Sequence, residues 1–89
     1  MSAAKSSILI VDDEEKIRKV LKINLQQKYS VFLAKSGEEA QHYLQNEAIN
    51  LVITDLKMPG KVNGLQLLEY VKENFKQIPI IIITAFGTV

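Results

Sequence analysis

The chain contains no cysteine, which excludes disulfides and thiolate metal sites and fits a reducing compartment. It also lacks an excess of either charge. Eleven Lys and Arg stand against ten Asp and Glu, a net +1 with acids and bases interspersed. That balance offers no electrostatic footprint for nucleic acid or an anionic membrane. No apolar run approaches membrane-spanning length. Residues 1–7 are small and polar with no apolar signal core, so they read as a disordered leader and the chain as cytoplasmic. The glycines form neither a GxGxxG nor a GxxxxGK[ST] pattern, which argues against nucleotide binding. Repeats, linkers and low-complexity segments are missing too.

What remains is one small domain of 89 residues, whose apolar fraction of 47% and charged fraction of 24% place it among soluble globular chains. Residues 8–11, Ile-Leu-Ile-Val, form a continuous apolar run, as expected of a central strand buried on both faces. The run stops at Asp12-Asp13-Glu14-Glu15, and a helical pattern then extends to residue 27, with Ile17, Val20, Leu21 and Leu25 on one stripe. Residues 30–34 read as a shorter, less apolar edge strand. Ser36-Gly37-Glu38-Glu39 matches a capping box that opens a helix to about residue 46, with Ala40, Tyr43 and Leu44 inward.

Leu51-Val52-Ile53-Thr54-Asp55 reads as a third strand ending abruptly in one acid, followed by Leu56-Lys57 and a Met58-Pro59 turn. Residues 60–63 are a loop, and 64–75 a third helix with Leu67, Leu68, Val71 and Phe75 inward. Pro79 precedes a fourth strand over residues 80–84, the most hydrophobic in the chain. Strands alternating with helices through short loops imply right-handed βαβ units, hence an open, doubly wound, parallel α/β sheet.

In such a sheet the strand ends share one rim, where ligands bind. Asp12 and Asp13 end the first strand, Asp55 the third and Thr84 the fourth. Bare carboxylates brought together repel, and a divalent cation reverses that balance. An all-oxygen donor set favours Mg²⁺ over zinc. Simpler roles exist: Asp13 as a helix cap, Asp55 as a turn former. Capping accounts for one acid of a pair, however, and does not predict a third at a neighbouring strand end. His42 and the scattered tyrosines 29, 43 and 70 read as surface, core or rim residues.

Ile8-Leu9-Ile10-Val11-Asp12-Asp13-Glu14, Thr54-Asp55-Leu56-Lys57-Met58-Pro59 and Ile83-Thr84-Ala85 occur in order and together resemble the receiver domain of bacterial two-component response regulators. The ending Thr84-Ala85-Phe86-Gly87-Thr88-Val89 is similar to receivers of the nitrogen-regulatory type. The resemblance covers residues 8–89 and implies a flavodoxin-like sheet of strand order 2-1-3-4. It implies that Asp55 accepts a phosphoryl group from a sensor histidine kinase. It further implies Mg²⁺ held by Asp12, Asp13, Asp55 and the backbone carbonyl of Lys57, with Thr84 hydrogen-bonding the phosphoryl oxygens. A phosphoacceptor of this kind is a signalling domain rather than an enzyme.

Two departures from the family pattern stand out. The usual Met-Pro-Gly-x-Asp-Gly turn appears as Met58-Pro59-Gly60-Lys61-Val62-Asn63-Gly64, one residue longer and with Asn for Asp. The family also continues with a fourth helix, then a fifth strand that ends in a lysine, then a fifth helix, whereas this sequence stops at Val89. Lys57 and Lys61 read as loop lysines, not substitutes for that lysine. The chain is therefore expected to be a C-terminally truncated receiver whose exposed fourth strand pairs with another copy as a homodimer. The alternatives are a non-catalytic interaction module and, least favoured, an Mg²⁺-dependent phosphohydrolase. Such hydrolases place an Asp-x-Asp pair after the first strand, where this chain has adjacent acids.

Overall fold

The apolar runs become strands because burial on both sides suits β-branched side chains, and the polar segments between them carry the helices. A computed structural model of the chain describes residues 5–58 and 60–83. In order these form β1 (Ser7–Val11), α1 (Glu15–Leu25), β2 (Ser30–Ala34), α2 (Gly37–Asn46), β3 (Leu51–Asp55), α3 (Gly64–Asn74) and β4 (Ile80–Ile83). All pairings are parallel and the strand order is β2-β1-β3-β4, as expected. Thr84, expected at the end of the fourth strand, lies outside the described residues.

Right-handed crossovers decide where the helices lie. The chain steps from β1 outward to β2, then back over β1 to β3 and onward to β4, so α1 covers one face and α2 and α3 the other. The α2–α3 face holds the core: Leu9, Val11, Ala34, Ala40, Leu44, Val52, Leu67 and Val71 are all buried. Burying each larger aliphatic side chain contributes about 1.5–3 kcal/mol. Phe32 and Tyr43 close one side with ring centroids 5.5 Å apart, and Tyr70 and Phe75 another at 5.9 Å.

The apolar stripe on α1 is left largely uncovered. The helix buries none of its residues, and Ile17, Val20 and Ile23 are 41%, 55% and 65% exposed. It packs on β1 and β2, and among the described residues no helix lies over the same side of β3 and β4. Ile80 joins the core. Strand alternation therefore turns Ile81 and Ile83 toward the uncovered face, where they are 50% and 46% exposed.

Several boundaries shift for local reasons. Ser7, assigned by sequence to the leader, begins β1 because its amide donates to Asn50 Oδ1 at 2.7 Å and its carbonyl accepts from Asn50 N–H at 2.8 Å. Helix α1 ends at Leu25 instead of residue 27, and Phe75 caps α3 from outside it. Only half of the expected capping box forms at α2. Ser36 Oγ accepts from Glu39 N–H, but the Glu39 carboxylate takes the Lys35 amide at 2.8 Å. A complete box forms at α3 instead, where Asn63 and Gln66 exchange side-chain and backbone bonds at 2.9 Å. The Asn-x-x-Gln spacing was the signal for it.

Candidate functional site

At the carboxyl rim the central strands β1 and β3 run side by side, with Val11 paired to Thr54. The acids that follow are thereby brought together. Asp12, Asp13 and Asp55 each offer a carboxylate oxygen within 4.8 Å of the others. Asp12 and Asp55 are half-buried, and Asp13 is exposed.

Asp13 is not the cap of α1. Glu14 takes that position, with no side-chain cap bond. Asp12 instead shapes the turn, its Oδ1 accepting from Glu14 N–H at 2.8 Å. Burial raises the Asp12 pKa above its ordinary 3.8, the Glu14 amide opposes that, and the negative charges of Asp55, Asp13 and Glu14 raise it further. The rim thus gathers three carboxylates whose charges oppose one another. Its donors are hard oxygens that repel one another when empty-handed, and this fits Mg²⁺.

Two contacts hold the acids in place from behind. Arg18, one of several bases on α1, reaches back so that its Nη1 donates to the Asp12 backbone carbonyl at 2.7 Å. No sequence signal separates it from Lys16, Lys19 or Lys22. On β3, Thr54 is fully buried and its Oγ1 donates to the Asp55 carbonyl at 3.0 Å.

The segment after Asp55 is pinned at its base. Leu56 N–H donates to the Ile83 carbonyl at 3.1 Å, and the Leu56 carbonyl accepts from Gly64 N–H at 3.0 Å. Glycine is required at 64, since a Cβ there would lie 2.3 Å from the Asp55 carbonyl oxygen. Lys57 and Met58 leave from this base, Lys57 exposed and Met58 buried in the core. An open cleft of about 650 Å³ runs beside the acids, lined by Asp13, Leu56, Lys57, Met58, Asn63 and Leu65. It meets the acid cluster only at Asp13. Leu65, more than half exposed, was not singled out from sequence. Of the expected site residues, Asp12, Asp13 and Asp55 converge, Lys57 flanks them, and Thr84 lies outside the described residues.

Comparison with known proteins bears on this rim. The profile of the response regulator receiver domain matches residues 8–89. The response regulator protein PilR of Pseudomonas aeruginosa is 36% identical over 86 residues, which are 96% of this chain and 19% of PilR. A putative NtrX-like response regulator of Rickettsia felis is 34% identical over 92% of this chain and 18% of its own length. The chain thus spans about a fifth of these curated relatives. Among solved structures, response regulator TrrA of Thermotoga maritima, in complex with Mg(2+)-BeF, superposes with a TM-score of 0.85 at 38% identity, covering 92% of this chain and 71% of TrrA. The profile match across residues 8–89 and the superposition on a solved response regulator agree, and the chain belongs to the response regulator receiver domain family of two-component signal transduction.

Proposed function

We propose that this receiver accepts a phosphoryl group on Asp55 from a phosphohistidine of a sensor histidine kinase. The observation that carries the reading is the meeting of the Asp12, Asp13 and Asp55 carboxylates within 4.8 Å at the sheet rim. That arrangement favours phosphoacceptance over a purely non-catalytic module.

Asp12 and Asp13, with Asp55 and the Lys57 backbone carbonyl, would hold Mg²⁺. The bound ion would offset the repulsion among the acids and supply positive charge to the phosphoryl oxygens. An Asp55 carboxylate oxygen attacks phosphorus in line while the P–N bond to the donor breaks. The imidazole nitrogen leaves with the bonding electron pair as a neutral ring whose other nitrogen carries the proton. The product is an acyl phosphate, and hydrolysis returns carboxylate and inorganic phosphate. Thr84, next in sequence after Ile83, would donate its hydroxyl to a phosphoryl oxygen and report its presence. The cleft beside Asp13 gives the donor side chain a route of approach. This is single-turnover signalling rather than enzymatic turnover, and the setting proposed for it is the cytoplasm.

Intact-mass spectrometry after incubation with Mg²⁺ and acetyl phosphate tests the reading, with Asp55→Asn as control. One phosphoryl adduct per chain that disappears in the variant is expected. An adduct that persists in Asp55→Asn, or no adduct in either protein, would sink it.

A specific observation also favours self-association. Ile81 and Ile83 are about half exposed on β4, which is an edge strand among the described residues. Its free backbone groups lie beside apolar side chains, a template for pairing with a second copy. Sedimentation velocity should show a concentration-dependent dimer at micromolar protein. A monomer at all concentrations would rule this out.

A further inference from the structure

The loop between β3 and α3 is one residue longer than the family's usual turn, and its tip is held by a side chain from another element. At its base, Leu56 and Gly64 are joined backbone to backbone at 3.0 Å. At its tip, Glu38 in the first turn of α2 reaches across 23 positions of sequence, and its Oε2 accepts from Lys61 N–H at 3.2 Å. Gly60 makes room for that carboxylate. It takes φ +99, and a Cβ there would lie 3.2 Å from Glu38 Oε2. Val62 packs directly on Gly37, where any Cβ would overlap the Val62 carbonyl and side chain. The amides of Glu38 itself, Lys61 and Val62, in that order of effect, hold the Glu38 carboxyl below the usual range, helped by the Lys61 charge and opposed by desolvation.

We infer that Glu38 is a positioning residue for the metal site, clamping the lengthened loop so that the Lys57 carbonyl is presented to Mg²⁺ beside Asp55. The inference rests on the metal set proposed above. Its physical basis is preorganisation: a longer loop has more conformations to lose, and a ligand on it binds more weakly unless something fixes the loop beforehand. Glu38 is exposed and not a member of the core, so its removal should leave folding intact.

The test is a Mg²⁺ titration of the full chain followed by ¹⁵N-amide NMR, with Glu38→Ala and Glu38→Gln beside the wild type. In metal-free Glu38→Ala, the Lys61 and Val62 amides should shift, and the Mg²⁺ dissociation constant should rise about tenfold, at the low end for outer-shell partners. The thermal midpoint should stay within about 2 °C, as for an exposed substitution. Glu38→Gln keeps the side-chain length and an acceptor oxygen, so it should recover most of the affinity. Wild-type affinity in Glu38→Ala would overturn the inference and leave the metal site standing. Equal losses in both variants would assign the effect to net charge and overturn it as well. A wild type that does not bind Mg²⁺ would overturn the metal site and the clamp together.

Discussion

The two faces of the sheet are built from the same kind of side chain and end up in different states. On the face under α2 and α3, Leu9, Val52, Leu67 and Val71 lose all contact with solvent. On the opposite face Ile8 and Ile10 are buried where α1 covers β1, but Ile81 and Ile83 remain about half exposed, as do Ile17 and Val20 on α1, the only helix on that face among the described residues. Hydrophobicity therefore does not determine burial here; the number of elements laid over a strand does. Asp55 belongs to the open side, since alternation along β3 places it in line with Ile53, and its register partner on β4 is Ile83. The candidate site thus sits at the end of the open face, and whatever covers that face also sets how strongly the acids are desolvated.

The contrast predicts its largest effect in paired truncations. Leu67→Ala removes a fully buried side chain between α3 and the sheet and should cost about 2–5 kcal/mol. In a domain this small that approaches the whole stability. Val20→Ala on α1 removes a side chain 55% exposed and replaces a β-branched residue by the best helix former. It should be neutral or stabilising by a few tenths of a kcal/mol. Urea unfolding of the two variants decides the matter. Comparable losses would mean that α1 is packed as tightly as α3 in solution.

A middle-sized effect tests the closed face where it touches the site. Thr54 is the buried polar residue among those described, and among those residues its hydroxyl bonds to the Asp55 carbonyl. Thr54→Val keeps the shape and deletes that bond, and should cost about 1 kcal/mol. An unchanged urea midpoint would mean that the hydroxyl contributes nothing to holding the end of β3.

Ile83→Lys probes the open face at the site's edge. Placing a charge on a half-exposed edge position should change folding stability by less than about 1 kcal/mol while abolishing the proposed β4 pairing. Sedimentation of the variant should show monomer at concentrations where the wild type associates. Persistent dimer would move the interface elsewhere, for instance to the exposed stripe on α1.

What could be read from the sequence divides along the same line. Ile8-Leu9-Ile10-Val11 and the strand ending in Asp55 were legible because strand period and run length are local properties, and the rim acids followed once the strands were parallel. The core positions Ala40, Leu44, Leu67 and Val71 were legible for the same reason. Periodicity alone does not give the exposure of Ile17 and Val20, because a stripe on a helix says which side is apolar and nothing about how much lies opposite. Arg18 and Glu38 were missed because each acts on backbone groups brought near by the fold, and a charged side chain on a helix carries no mark of its target. At Asn63 and Gln66 the helix start was legible at Gly64, and the Asn-x-x-Gln spacing carried the cap that was not named.

The smallest effect concerns the acids themselves, and its sign is fixed by the direction in which Asp12 is displaced. Burial and the neighbouring negative charges raise its pKa above 3.8, so the native state holds this proton more tightly than the unfolded chain does. Stability then falls as pH rises from 3.8 through the native value, and the penalty persists at neutral pH. Asp12→Asn removes the charge and keeps an oxygen for the Glu14 amide. In metal-free solution at neutral pH it should be more stable than wild type by a few tenths of a kcal/mol, since Asp12 is only partly buried and solvent screens its neighbours. That corresponds to a rise on the order of 2 °C in Tm, vanishing below pH 3.8. Millimolar Mg²⁺ should reverse the order, because the proposed cation turns the repulsion into binding energy that only the full set of carboxylates can use. Thermal scans from pH 3 to 8, with and without Mg²⁺, carry the test. A metal-free Asp12→Asn that is less stable at neutral pH would show that the Glu14 hydrogen bond to a charged acceptor outweighs burial and repulsion. The empty rim would then be a stabilising feature of the fold, not a strained site waiting for a cation.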